Sequence, residues 1–106
     1  MPPESDLPEI EVTDNHPRNR FEASVGAEIV AFVTYRLLRR RVVVLHTEVE
    51  RAFTGRGVGR RLVQAMLDDI RARGLQVTPI CPFTAAFIER HPAYGDLVSW
   101  GRERGR

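Results

Sequence analysis

The apolar pattern of this 106-residue chain first changes period, from strand to helix, across a glycine-rich turn. Residues 42–50 are rich in β-branched side chains and predict a strand. From Val58 onward, Val58, Leu62, Val63, Met66, Leu67 and Ile70 recur at helical spacing. Between the two lies Thr54-Gly55-Arg56-Gly57-Val58-Gly59. Residues 75–80 predict another strand after Gly74, a residue suited to ending the helix. Strand, helix and strand in such close succession make a βαβ unit, so its two strands are expected to run parallel.

Upstream, the periodicity is that of strands. Ile10 and Val12 alternate with acids and predict a short first strand, and Asp14-Asn15-His16-Pro17 supplies turn chemistry. Residues 21–25 predict a second strand and Gly26-Ala27 the turn into a third, where Ile29, Ala31, Val33 and Tyr35 share one face and Phe32 takes the other. Residues 39–41 read as a solvated connection. Short connections favour an antiparallel meander. On the helix, Asp69 and Arg73 form an i,i+4 pair. Residues 84–90 predict a second, shorter helix that stops before Pro92. The expected fold class is therefore α+β, a mixed, mostly antiparallel sheet with a βαβ unit and two main helices. Residues 1–8, with three prolines, read as a flexible tail, and residues 9–106 as one domain.

Composition narrows the function. With 42% hydrophobic and 28% charged residues the chain is neither disordered nor fibrous. No apolar run approaches the roughly 18 residues of a membrane span, and the acidic, proline-rich start is unlike a secretory signal. The single cysteine, Cys81, excludes an internal disulfide and a multi-cysteine metal site, and a cytoplasmic location is expected. All sixteen basic residues are arginine. Without lysine there is neither a phosphate-loop lysine nor a Schiff-base nucleophile. Residues 1–28 hold seven acids and two arginines, a net −5, whereas residues 29–106 hold fourteen arginines and seven acids, a net +7. An anionic ligand or nucleic acid is expected on the latter part.

The glycine turn is where such a ligand fits. Gly55, Gly57 and Gly59 let backbone amides approach a ligand without Cβ obstruction, and the turn opens into a helix whose first amides are unpaired and partly positive. Arg56, Arg60 and Arg61 crowd that end, where each cation costs about 0.3–1 kcal/mol unless an anion is bound. A solvated turn with solvated arginines is the alternative. The dinucleotide fingerprint needs G-x-G-x-x-G where this chain has G-x-G-x-G, and a phosphate loop needs the missing lysine.

Gly55-Arg56-Gly57-Val58-Gly59 followed by Leu62 resembles the acyl-CoA pyrophosphate loop of the GCN5-related N-acetyltransferases. The loop pattern Gln/Arg-x-x-Gly-x-Gly/Ala falls on Thr54, Gly57 and Gly59, with Thr54 departing from Gln/Arg. Three further strings sharpen the likeness: His46-Thr47-Glu48-Val49, Pro79-Ile80-Cys81-Pro82-Phe83 and Arg90-His91-Pro92-Ala93-Tyr94. Together they resemble the small, single-domain YjdJ-like branch over residues 21–98. The resemblance implies acetyl-CoA as co-substrate, no metal, and an amine acceptor. It implies cofactor contacts at Val49, Thr54, Gly55, Arg56, Gly57, Val58, Gly59 and Arg60. It also implies that the fourth strand polarises the thioester carbonyl and pairs with pantetheine in a splayed gap to the fifth. Pro79 and Pro82, which cannot donate ladder hydrogen bonds, agree with such a gap.

For the chemistry, His46, Glu48 and Glu50 alternate on the fourth strand and share one face. His46 or Glu48 suits a base that deprotonates an ammonium nucleophile. Ordinary strand-end charges and a hydrogen-bonded core histidine are the plain alternatives. Cys81 is either a buried inert thiol or one activated by arginines and a helix terminus, and the resemblance places a candidate catalytic cysteine there. The superfamily's thiolate-protonating tyrosine has no counterpart near Arg90 or His91; Tyr94 lies beyond Pro92 and either substitutes or packs, and His91 caps or orients that helix end. The expected activity is transfer of an acetyl group from acetyl-CoA to an unidentified amine, by a monomer or weak homodimer. The acceptor pocket should be shallow, since the chain lacks the N-terminal helices of larger relatives. A non-catalytic acyl-CoA-binding module is the alternative, and a nucleic-acid-binding domain ranks lower.

Overall fold

The protein is described by a computed structural model over residues 9–101, so the expected tail over residues 1–8 lies outside the described residues. Five strands form one sheet in sequence order: β1 (Glu11–Asn15), β2 (Arg20–Val25), β3 (Glu28–Leu38), β4 (Arg41–Val49) and β5 (Gln76–Pro79). The first three pairings are antiparallel, and β4 and β5 are parallel across the helix α1 (Val58–Ala72). A second helix, α2 (Pro82–Arg90), follows β5. It starts two residues earlier than its apolar pattern predicts, because Pro82 fits the first helical position, where an N–H has no partner to lose.

Both helices cover the same side of the sheet. Leu62, Val63, Met66, Leu67 and Ile70 of α1 join Phe87 and Ile88 of α2 in one buried cluster with Phe21, Val33, Tyr35, Val42, Val44 and Val77. The alternating strand residues, among them Glu22, Phe32, Thr34, His46 and Glu48, face the other way. Among the described residues no helix covers that second face.

Two bulges set which side chains reach which face. Ala23 pairs Ala31 but Ser24 pairs Ile29, so Val30 is an extra residue on β3. Val30 therefore takes the core position, and Ile29, expected beside Ala31, is turned outward and 38% exposed. On β4, His46 pairs Thr34 and Val44 pairs Tyr35, leaving Leu45 unpaired. An unbroken strand would carry the Val42–Val44 phase on to His46 and Glu48 and drive both into the core. The bulge reverses that phase and buries Thr47 and Val49 partly instead.

Arg41, expected in a solvated connection, is the first residue of β4 and donates to the Thr78 hydroxyl at 2.8 Å. Arg39, with φ 46°, takes the turn. Thr78 in turn donates to the Ser99 carbonyl, and Ser99 N–H donates to Val77 at 2.9 Å, which tethers the segment beyond α2 to the outer edge of β5.

A polar network ties β1, β3 and α1. The Tyr35 hydroxyl donates to Asp14 at 2.6 Å, Arg73 donates to Asp14 at 2.8 Å, and the predicted Asp69–Arg73 pair closes at 2.9 Å. Burial first, and then the Asp14 carboxylate, push the Tyr35 phenol above its ordinary value near 10. The neutral phenol is the form the fold favours, so its stabilisation is complete below about pH 10 and is lost as pH rises beyond it. Tyr35→Phe should cost about 1–2 kcal/mol at neutral pH by urea unfolding and flatten the alkaline fall in stability relative to the parent. An unchanged alkaline slope in the variant would show that Tyr35 is not its source.

Candidate active site

Pairing between β4 and β5 runs only from Arg41↔Gln76 to Val44↔Pro79. Gln76 N–H donates to the Arg40 carbonyl on the β4 side, so by alternation Val77 and Pro79 turn their backbone groups to the outer edge, where Val77 C=O receives Ser99. The missing Pro79 donor thus faces away from β4 and does not itself open the sheet. The opening begins one residue later. Ile80 N–H turns back to the Thr78 carbonyl at 3.1 Å, Cys81 N–H takes the Val44 carbonyl at 2.9 Å, and the chain leaves as α2.

β4 continues past that point, paired with β3 only. Glu50 N–H donates to Val30 on β3 at 2.8 Å. The trans peptide therefore points the Val49 carbonyl the opposite way, into the gap, and alternation sends the Val49 and Thr47 amides there too. Five residues, 45–49, form an interior strand edge open on one side.

The glycine turn sits at the mouth of this gap. After a short 3-10 turn (Arg51–Phe53), Gly55 and Gly57 have φ of 78° and 83°, and Gly57 is the N-cap of α1 with no side-chain capping hydrogen bond. Arg61 N–H is the first to close an intrahelical bond, to Gly57, which leaves the preceding amides of Val58, Gly59 and Arg60 directed out of the helix end. Gly59 permits close packing: a Cβ there would meet Phe83 at 3.0 Å and Val49 at 3.3 Å. The Arg60 guanidinium lies over Gly57, and Arg56 sits 5.5 Å from the Phe53 ring. Thr54 donates its hydroxyl to the Glu50 carbonyl at 3.3 Å, an exposed bond across the turn.

The catalytic candidates divide between the two faces. Cys81 is the N-cap residue of α2, 2% exposed, with Sγ 3.3 Å from the Thr47 hydroxyl. Burial pushes its thiol up, but the Thr47 hydroxyl and the amides of Thr84 and Phe83 outweigh that, and the net effect lowers it. Thr84 is wholly buried, and both its amide and its hydroxyl bear on the Cys81 thiol. His46 and Glu48 share one face of β4 as expected; that face is the helix-free one, where they lie 3.5 Å apart and about three-fifths exposed. Glu50 follows the end of β4 and lines a groove beside Glu48. β4 thus stands between Cys81 and the His46–Glu48 pair, and the two do not form a cysteine–histidine dyad.

At the far end of α2, His91 stacks on Phe87 at 4.0 Å and donates from Nδ1 to the Phe87 carbonyl, which orients the helix end. Tyr94 donates to Asp68 at 2.7 Å on the exposed side of α1 and packs rather than facing the gap. Among the described residues no group of His, Cys, Asp or Glu could hold a metal ion, and no helix is long and apolar enough to cross a membrane.

Comparison with known proteins gives the family. The family model described as GCN5-related N-acetyl-transferase matches residues 20–97. The chain belongs to this family. It is 32% identical over 92 residues to Protein NATD1 of Bos taurus, covering 85% of this chain and 80% of that protein, and 31% identical over 81 residues to Protein NATD1 of Homo sapiens, covering 73% and 72%. A GCN5-like protein of Staphylococcus aureus, at 22% identity, superposes with a TM-score of 0.65 over 93% of this chain and all of that one. The ribosomal-protein-S18-alanine N-acetyltransferase of Escherichia coli, at 16% identity, gives 0.57 over 83% and 56%. These structures share the fold, which is the mixed sheet with parallel β4 and β5 expected from the sequence.

The sequence did not disclose Thr47 and Thr84 as partners of the GCN5-related chain's only cysteine, because their contact depends on the Leu45 bulge and on the turn at Ile80. The contact makes a measurable difference. Thr47→Val should move the Cys81 thiolate absorbance titration to higher pH, since the hydroxyl that favours the thiolate is lost, while Thr47→Ser retains the parent curve. Coincident curves for all three proteins would remove Thr47 from the account.

Proposed function

We propose that the chain is an acetyl-CoA-dependent N-acetyltransferase acting on an amine, within the small, single-domain YjdJ-like branch of the family. The observation that carries this reading is the adjacency of two unsatisfied backbone sets: the open edge of β4 over residues 45–49 and the uncapped start of α1. The residues present fit the co-substrate. The amides of Val58, Gly59 and Arg60 suit the pyrophosphate, with positive φ at Gly55 and Gly57 clearing the approach and Arg56 and Arg60 adding charge. The Thr47 and Val49 backbone suits the pantetheine amides as an added strand, with Val49 N–H aimed at the thioester carbonyl.

Amine attack on that carbonyl forms a C–N bond, breaks the C–S bond and releases the thiolate of CoA, and the attacking nitrogen must shed a proton. His46 with Glu48 can accept it from the helix-free face, directly or through water. Cys81 lies across β4 and has two chemical roles open to it, returning a proton to the departing thiolate or accepting the acetyl group first. The lowered thiol favours the second. The cytoplasm, and a monomeric or weakly dimeric state, belong to the same proposal. A non-catalytic module and a nucleic-acid-binding domain are not favoured by the family membership.

Calorimetry with acetyl-CoA tests the reading. Salt-sensitive binding is expected, and Gly57→Ala, which forces a Cβ into φ 83°, should weaken it at least about tenfold while costing only about 1–2 kcal/mol of stability. Mass spectrometry of the parent after incubation with acetyl-CoA should show one acetyl group, absent in Cys81→Ser. Lack of binding by folded parent protein overturns the function; turnover without an acetyl adduct assigns Cys81 to proton transfer if Cys81→Ser slows it, and to an inert buried thiol if it does not.

A further inference from the structure

The helix-free face carries a groove of ≈ 510 Å³ that reaches the end of β4. Its lining includes Ile29, Phe32, Glu48, Val49, Glu50 and Arg51. Val49 is shared with the β4–β5 gap, so the groove meets the proposed position of the thioester carbonyl. Its charge is mixed in a particular order. Glu48, next to His46, stands on the strand, and Arg51 stands three residues further on, where the 3-10 turn begins. Fully extended backbone sets an upper bound on the order of 10 Å between their Cα atoms, a span that an aliphatic chain of about six carbons bridges. Apolar Ile29 and Phe32 lie alongside on β3.

The other arginine of the lining, Arg20, is already committed. It donates to Glu22 at 2.7 Å and lies over the Phe32 ring at 4.3 Å, and so forms a fixed wall. Arg51 makes no ion pair among the described residues and is exposed. A plain amine would use the carboxylate end of such a groove and leave the guanidinium beside it idle. A molecule bearing an amine at one end and an anion at the other uses both ends.

We propose that the acceptor is an aminoalkyl acid, its amine directed by Glu48 and Glu50 toward Val49 and its carboxylate or other anionic group held by Arg51. This rests on the acetyltransferase reading and specifies its second substrate. The guanidinium acts on binding, not on the reacting atoms, so its contribution falls on KM more than on kcat.

The test compares two acceptors of equal length and identical amine, 6-aminohexanoate and 6-amino-1-hexanol, with acetyl-CoA binding followed separately by calorimetry. The parent should use the acid with kcat/KM roughly tenfold above the alcohol, the worth of one charge-assisted contact. Arg51→Gln should bring that ratio close to one by raising KM for the acid, leaving the alcohol and acetyl-CoA binding unchanged. Equal use of both acceptors by the parent, or a ratio that Arg51→Gln does not alter, overturns the acceptor class while the transferase stands. Turnover of neither acceptor by protein that binds acetyl-CoA overturns it equally. Failure to bind acetyl-CoA at all removes the function and this proposal with it.

Discussion

The place where β5 leaves β4 governs this molecule. Parallel pairing holds through Val44 and Pro79, and then Cys81 N–H takes the Val44 carbonyl as the chain turns into α2. A central strand of a sheet normally spends its backbone groups on two neighbours, and buried groups left without partners cost about 1–3 kcal/mol each. Here β4 spends one side on β3 and leaves the other open over residues 45–49. Water alone can satisfy such an edge, and so can a ligand with amides of its own. The start of α1 presents a second set of uncommitted amides beside the same opening. The fold keeps both because the hydrophobic contact of α1 with the sheet, centred on Leu62, Met66 and Leu67, does not depend on either.

The Leu45 bulge gives the opening two different sides. Below it, Val42 and Val44 face the helices; above it, Thr47 and Val49 do, and His46 and Glu48 are released to the uncovered face. One extra residue therefore sorts the chemistry: a thiol surrounded by hydroxyls and amides on the helical side, and an exposed imidazole–carboxylate pair on the other. Proton exchange with bulk water is easy for the second set and restricted for the first.

Much of this was legible in the residues, and the parts that were not have definite causes. The period change across the glycine turn disclosed α1 and its flanking strands, since Gly57 and Gly59 are needed for a left-handed N-cap and for contact with Val49 and Phe83. The alternation of His46 and Glu48 correctly placed them together. Ile29 was misplaced because a strand's period of two has no memory of an inserted residue, and Val30 is one. Arg41 was misread because a run of three arginines looks solvated, whereas its partners Thr78 and the segment around Ser99 lie far along the chain. The prolines pointed to the right region for an incorrect reason: Pro79 faces the outer edge, and the opening follows from the turn at Ile80. That Cys81 and His46 lie on opposite faces could not be read without the bulge.

In the proposed function, one acyl-CoA molecule lies along the open edge of β4 and against the first amides of α1. Amide chemical shifts of the isotope-labelled protein, followed by NMR through a titration with acetyl-CoA, address this most directly. The predicted result is saturable movement of Thr47, Val49, Val58, Gly59 and Arg60, with β1 and the arginine turn at residues 39–40 unmoved. Shifts confined to residues 39–41 and 74–76, with those five amides undisturbed, would contradict it.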